Sequence, residues 1–258
     1  MRILVIGAGS VGQRHIRNLR TLRPGVTVVT VDPDVPADYR DYGTALEAGR
    51  YDAAIIASPT DWHMGHMMGL SLPEWRVSFL VEKPLSARDY TPSTAVSMAA
   101  GLRCAVGFQW RYHPVVTAMR EMWERNRLLK FTASQNMIVK YGLTCLETIG
   151  SHVIDLALWV LGPALEVDMT TDGRTASGTI THEHGESNYQ LDMTKDPRIS
   201  YVVSGADAVS LPPDNQMYVD ELADFLTYVE TGIRPARLAT LADGLAVQGV
   251  MNQCKTVS

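Results

Sequence analysis

The stretch Arg2–Gly12, Arg-Ile-Leu-Val-Ile-Gly-Ala-Gly-Ser-Val-Gly, decides how the chain is read. Ile3–Ile6 is a short apolar run, Gly7-Ala8-Gly9-Ser10-Val11-Gly12 matches G-x-G-x-x-G, and the helix-like segment Val11–Leu22 follows. A glycine-rich turn alone says little; placed between a strand and a helix it is the signature of a dinucleotide-binding turn. Gly7 permits the tight turn, Gly9 removes the side chain that would block a pyrophosphate, and Gly12 lets the helix pack against the strand. Ser10 and Val11 open that helix, whose N–H groups and positive end suit phosphate. The alternative is a purely structural βα turn. The next strand, Val26–Val31, ends at Asp32, about twenty residues after Gly12, where an acid accepts hydrogen bonds from the adenosine ribose. A carboxylate there repels a 2′-phosphate, and Pro33 and Asp34 follow rather than an arginine, so NAD is favoured over NADP. The other reading of Asp32 is a turn-capping residue before Pro33.

Working outward, apolar runs at Ala53–Ala57, Val77–Val81 and, more weakly, Cys104–Val106 alternate with helix-like Asp61–Leu70 and Pro92–Ala100. Such alternation predicts a parallel sheet covered by helices. Tyr39–Arg50 is long enough for a helical turn or two. The pattern changes after Tyr112. Pro114–Arg125 reads as a helix with Val115, Met119 and Met122 on one side. Lys130–Val139 reads as a strand, and Ser151–Leu161 as an apolar helix stopped by Gly162-Pro163. From Val167 to Leu211, short segments separated by Asp-Gly, His-Gly and Asp-Pro read as antiparallel strands and turns. Asp220–Glu230 and Leu241–Gln253 read as closing helices. The expected fold is α/β: an N-terminal Rossmann dinucleotide-binding domain, residues 1–113, then a compact α+β domain with a mainly antiparallel open sheet, residues 114–258.

Composition narrows the function. The 258 residues are 46% hydrophobic and 20% charged, an ordinary globular mixture. A formal net charge of −5 argues against a nucleic-acid binder that works through phosphate contacts. No stretch of about 18 apolar residues is present, so no membrane helix is expected. The cysteines Cys104, Cys145 and Cys254 are scattered and form no CxxC pair, which suits a reducing compartment, and a cytoplasmic location is expected.

Ligands of open α/β sheets sit beyond the carboxyl ends of the strands. The third strand runs into Ser58-Pro59-Thr60-Asp61-Trp62-His63 and the fourth into Glu82-Lys83-Pro84. A lysine at that edge can bind a substrate oxygen, stabilise alkoxide character and join a proton relay; the plainer reading is a surface lysine. Gly7–Gly12, Ser58-Pro59-Thr60 with His63, and Glu82-Lys83-Pro84 resemble the glucose-fructose oxidoreductase/inositol dehydrogenase (Gfo/Idh/MocA) family. Gly107–Pro114, Gly150-Ser151-His152-Val153-Ile154-Asp155 and Tyr218–Phe225 extend the likeness over residues 1–162 and 218–250.

The resemblance implies a nicotinamide-dependent dehydrogenase or reductase, acting on a hydroxyl of a sugar, nucleotide sugar or cyclitol, and a homodimer or homotetramer formed through the C-terminal sheet. It implies Lys83 as substrate-binding and relay lysine and His152 as general acid/base. Glu82 and Pro84 shape the loop, with a strained or cis bond before Pro84. Ser58, Pro59, Thr60 and His63 lie along the cofactor, and Arg111 approaches the substrate. Read from its residues alone, His152 sits in the first turn of a helix, whose positive end disfavours imidazolium and suits a neutral base. Asp155, three residues on, is placed to orient the ring. The competing reading is a satisfied histidine at a helix start. The family's acid four residues before this histidine is replaced by Thr148, a potential helix cap, with Glu147 beside it. Either Glu147 substitutes or the dyad reduces to Lys83 and His152.

His182, His184 and Glu186 share strand alternation but read as a polar hairpin, and no metal is expected. Met64, Met67 and Met68 read as packing, and Cys145 has no supporting pattern as a nucleophile. Two rivals remain: a non-catalytic dinucleotide-binding sensor, and a reductase of a non-sugar substrate.

Overall fold

The computed structural model describes residues 1–87, 93–121, 128–134, 143–195, 202–204, 208–210 and 214–257. Pro92, Met122, the end of the expected strand at 135–139 and Leu211 lie outside the described residues. The described chain divides into two compact units: Met1–Ser86, Tyr90–Phe108 and Tyr218–Leu245 form one; Ala87–Asp89, Gln109–Met217 and Ala246–Ser258 form the other.

In the first unit, β1 (Arg2–Ile6), β2 (Thr27–Val31), β3 (Ala53–Ile56), β4 (Phe79–Glu82) and β5 (Ala105–Gly107) form one sheet in the order β2-β1-β3-β4-β5, parallel throughout. Between them run α1 (Ser10–Leu22), α2 (Tyr42–Glu47), α3 (Thr60–Ser71) and α4 (Ser93–Met98). The strands are continuous apolar runs because both sheet faces are covered; Ile3, Leu4 and Val5 of β1 and every residue of β3 are fully buried. Strand order reverses at β1, which pairs with β2 on one side and β3 on the other. Ile6 lies opposite both Val31 and Ile56, so Gly7, Asp32 and Ala57 emerge level at one edge. That edge is the topological switch point, where doubly wound sheets bind ligands.

The second unit holds a 3-10 turn (Gln109–Tyr112), α5 (Pro114–Glu121), β6 (Leu128–Ser134), a π-helical turn (Leu146–Gly150), α6 (Ser151–Leu161), β7 (Ala164–Thr171), β8 (Thr175–His182), β9 (Gly185–Asp192), β10 (Val202–Ser204) and β11 (Ala208–Ser210). α7 (Asn215–Thr231), α8 (Leu241–Gln253) and β12 (Lys255–Thr256) close the chain. The seven-stranded sheet runs β11-β10-β6-β9-β8-β7-β12. It is mixed: β6 with β9 and β7 with β12 are parallel, and the other pairings are antiparallel. β8 and β9 form a hairpin turned at Glu183-His184. α6 stops where Gly162 takes a φ of 81°, a left-handed position that suits glycine, just before Pro163.

α7 returns the chain to the first sheet. Its Leu222, Phe225 and Leu226 join Ile3, Val5, Ile16, Leu19, Ile55, Leu80 and Ala105 in one core. Each such side chain contributes about 1.5–3 kcal/mol on full burial. The first sheet therefore draws on sequence more than a hundred residues downstream of its last strand.

Candidate active site

The glycine turn separates two demands. Gly7 has a φ of 96°, and a Cβ there would lie 2.5 Å from the Ser58 nitrogen. A Cβ on Gly12 would collide with the Gly7 carbonyl. Both glycines are required by the protein's own backbone. Gly9 has an ordinary φ of −68°, and a Cβ built on it meets nothing within 4 Å. Gly9 is the N-cap of α1 and has no side chain to cap the Ser10, Val11 and Gly12 amides, which lack intrahelical acceptors. An oxyanion could approach them there.

Asp32 closes β2 as a carboxylate tied to the main chain. Oδ2 accepts from Ala8 N at 2.7 Å; Oδ1 accepts from Asp34 N at 2.9 Å and Val35 N at 3.1 Å. Burial pushes its pKa up, but these three bonds and the nearby Arg40 outweigh burial and hold it below the ordinary value. Asp32 is thus both the turn cap and an anion at the sheet's edge. Arg40 donates to Pro33 O at 2.8 Å and Val35 O at 3.2 Å, a cation in this loop that the sequence reading did not anticipate.

After β3, Pro59 leads into Thr60 at the start of α3. Ser58 Oγ lies 3.0 Å from His66 Nδ1, and His66 is stacked on Trp62 with Tyr42 against its edge. Burial, then the neighbouring His63, lowers the His66 pKa to about 4, so the ring is neutral at pH 7, with Nδ1 within hydrogen-bond distance of the Ser58 hydroxyl. His63 is 1% exposed; Nδ1 is 2.8 Å from Pro84 O and Nε2 2.9 Å from Ser58 O. Glu82, at the end of β4, is buried with Oε1 2.7 Å from Nε2 of the fully buried His15. Burial opposes the Glu82 charge, but His15, Lys83 and His63 hold its pKa below the usual value. The Lys83–Pro84 peptide is cis. Within Val81–Ser86 every residue is buried except Lys83, which is partly exposed.

In the second unit, the helical path to His152 starts earlier than the sequence suggests. Thr144 opens it with a capping box: its N–H and hydroxyl donate to Glu147 Oε2 at 2.6 and 2.8 Å. Glu147 N–H donates to Thr144 Oγ1 at 3.4 Å in return. The π-helical turn then runs directly into α6, with Gly150 already in helical conformation. His152 therefore lies inside a continuous helical run rather than in its first turn, and the helix-end argument for its neutral state does not hold. The cap is Thr144; Thr148 instead donates back to Thr144 O at 2.9 Å and touches Met193 Sδ at 3.2 Å. His152 is 6% exposed, with its ring edge-on to Trp110 at 6.3 Å. Asp155 is fully buried and grips Arg111, whose Nε donates to Oδ2 at 2.9 Å and whose Nη2 donates to Oδ1 at 2.5 Å. The guanidinium lies over the Trp159 ring. Lys83 belongs to the first unit and His152 to the second.

His182 is buried, with Nδ1 3.0 Å from Gly162 O and Nε2 2.7 Å from Ser187 Oγ, so its ring serves the hairpin. All three cysteines are free and buried, and burial pushes the Cys104 and Cys145 thiols up to about 12. The sequence reading missed His15, although a signal existed: it falls on the buried stripe of α1 with Gly12, Ile16 and Leu19, where a histidine needs a polar partner.

Residues 1–108 match the family model described as "Oxidoreductase family, NAD-binding Rossmann fold", that of Gfo/Idh/MocA. The chain is 26% identical over 216 residues to scyllo-inositol 2-dehydrogenase (NAD(+)) of Bacillus subtilis strain 168, covering 74% of this chain and 62% of that protein. It is 28% identical over 202 residues to inositol 2-dehydrogenase 2 of Paenarthrobacter aurescens strain TC1, covering 68% and 60%. These matches span less than two thirds of either relative's length. The fold is similar to the WlbA (WbpB) dehydrogenase from Thermus thermophilus, solved with NAD and UDP-GlcNAcA. The TM-score is 0.81 at 18% identity, over 100% of this chain and 97% of that one. These findings agree on one likeness: residues 1–108 match the NAD-binding Rossmann fold of the Gfo/Idh/MocA oxidoreductase family.

Proposed function

We propose that this chain is an NAD-dependent dehydrogenase that oxidises a secondary hydroxyl of a sugar, nucleotide sugar or cyclitol, or catalyses the reverse reduction. The observation that carries the reading is the contrast within the glycine turn: Gly7 and Gly12 are dictated by close backbone, whereas a Cβ on Gly9, two residues beyond the edge where Gly7, Asp32 and Glu82 emerge level, would meet nothing within 4 Å. The residues present suit a dinucleotide. The Ser10, Val11 and Gly12 amides would receive its diphosphate, and the anionic Asp32 would receive ribose hydroxyls and disfavour a 2′-phosphate. Ser58, Pro59 and Thr60 would line its path. A bound nicotinamide would supply the hydride acceptor or donor.

The protein's own part is binding, orientation and proton transfer. The Lys83 ammonium would donate to the reacting oxygen and stabilise it as its proton leaves. To His152 we assign uptake of that proton during oxidation and its return during reduction. We keep 1–113 and 114–258 as the proposed cofactor and substrate domains. Homo-oligomerisation through the second sheet is likewise a proposal. A dinucleotide-binding sensor is the second reading. It is favoured by one observation: Thr148 stands where the family has an acid, and its hydroxyl is bonded to Thr144 O.

The test is NADH and NADPH titration by cofactor fluorescence, then turnover across inositols and UDP-sugars. NADH is expected to bind more tightly than NADPH. Lys83→Ala should lower turnover by at least about 100-fold while cofactor binding persists. Unchanged turnover in that variant would remove Lys83 from the chemistry, and turnover absent from the wild type across the panel would favour the sensor.

A further inference from the structure

The residues on either side of Lys83 are each held from inside the first unit by a buried histidine, and the two histidines come from different helices. His15 of α1 is 0% exposed and sets Nε2 2.7 Å from Glu82 Oε1. His63 of α3 is 1% exposed and sets Nδ1 2.8 Å from the Pro84 carbonyl. Its other nitrogen is 2.9 Å from the Ser58 carbonyl; burial lowers the pKa of this ring, and the neutral imidazole, with one N–H, donates to one of the two carbonyls while lying between the loops after β3 and β4. Room for the Glu82 carboxylate is made on β5, where a Cβ on Gly107 would lie 3.2 Å from it. Lys83 lies between these two fixed points and is the partly exposed residue of an otherwise buried segment.

Burying three ionisable side chains, His15, Glu82 and His63, costs desolvation that an apolar core would avoid. Apolar residues of similar size would fill the same volume. What they could not do is fix the Glu82 carboxylate and the Pro84 carbonyl in direction as well as position. We propose that His15 and His63 are positioning residues that act through Glu82 and Pro84 to hold the Lys83 amine at the carboxyl edge of the parallel sheet. The inference rests on the assignment of Lys83 to the chemistry. It also predicts a property of the lysine that exists without turnover: a defined environment for its amine in the cofactor-free protein.

The experiment therefore has two readouts. In the first, lysines are reductively methylated with isotope-labelled formaldehyde. The Lys83 resonance is assigned by its loss in Lys83→Arg, and its shift is followed in His63→Leu, His63→Gln and His15→Asn. A single displaced resonance is expected in the wild type, moving toward the position of a solvent-exposed lysine in His63→Leu and partly restored in His63→Gln, whose amide still donates to one carbonyl. In the second, steady-state kinetics use NAD and the best substrate of the panel. His63→Leu should lower kcat by about 100-fold, and His63→Gln by about tenfold, with a smaller rise in KM for NAD.

An unmoved Lys83 resonance in folded His63→Leu and His15→Asn overturns the proposal. So does a loss of kcat, cofactor affinity and thermal stability all together, without rescue by glutamine, because that marks a purely structural role. Should His63→Leu fail to fold, His63→Gln and His15→Asn decide on the same criteria. If the wild type turns over nothing, the proposed function fails, and the resonance alone still decides whether the histidines position Lys83.

Discussion

The loops at the carboxyl edge of the parallel sheet and the helical run that starts at Thr144 use their polar residues in opposite ways. At the sheet edge, polar groups anchor backbone: Asp32 takes the Ala8, Asp34 and Val35 amides, and His63 faces the Ser58 and Pro84 carbonyls. The anchors fix loops whose outer positions, Gly9 and Lys83, face open space or are partly exposed. Along the helical run, the acids flanking His152 bind groups of their own unit: Glu147 closes a cap and Asp155 clamps Arg111. At the sheet edge the local bonds fix the loops that we propose to hold the cofactor. In the helix the same residue types also serve the fold, with Glu147 closing the cap and Asp155 gripping Arg111.

The contrast can be broken most sharply at Asp155. Asp155→Ala leaves a buried guanidinium without its carboxylate and should cost about 3–5 kcal/mol in urea unfolding; a loss below about 1 kcal/mol, the usual ceiling for an exposed pair, would remove the clamp from the account. The glycine turn sharpens the other side. Gly7→Ala should cost about 1–3 kcal/mol because its left-handed conformation and the neighbouring Ser58 backbone exclude a side chain. Gly9→Ala should leave stability within about 0.5 kcal/mol. It should nonetheless weaken NADH binding by at least about tenfold, since the added methyl occupies the phosphate's approach.

His66 adds a pH dependence at the same edge. Its folded pKa of about 4 lies below the ordinary value of 6.5, so the unfolded chain binds the proton first. Stability is then complete above pH 6.5 and falls as the pH drops toward 4. The loss is on the order of 2 kcal/mol after allowance for the ring's partial exposure. Thermal unfolding of His66→Gln should show a flatter profile over that window. The smallest effect is expected at Glu147: Glu147→Ala removes half of the capping box and should lower stability by about 1 kcal/mol.

How much was legible follows from sequence distance. The turn at Gly7–Gly12, the strand ending at Asp32 and the stop at Gly162-Pro163 depend on backbone rules that act over a few residues, and each is visible in the string. His15 with Glu82 is a contact between residues 67 apart, and Arg111 with Asp155 between residues 44 apart. No local rule pairs them. The sequence placed His152 in a first helical turn because a π-helical turn has no hydrophobic period to announce it, so the start at Thr144 stayed hidden. A threonine just before a helix, as Thr148 is before Ser151, reads as a cap, but its hydroxyl serves as well inside a helix, bonded to the carbonyl four residues back.

By itself the sequence determined the alternation of apolar strands and helices, the parallel sheet, the glycine turn and the acid that follows it. These are consequences of steric limits and hydrophobic burial, and both are written in neighbouring residues. Only the tertiary structure decided which polar residues are engaged within the fold: that Glu82 and Pro84 are held by two histidines, that Asp155 serves Arg111, and that α7 completes the first core. The reason is physical. A buried polar group must find its partner wherever the chain brings one within about 3 Å, and folding, not sequence order, sets that distance.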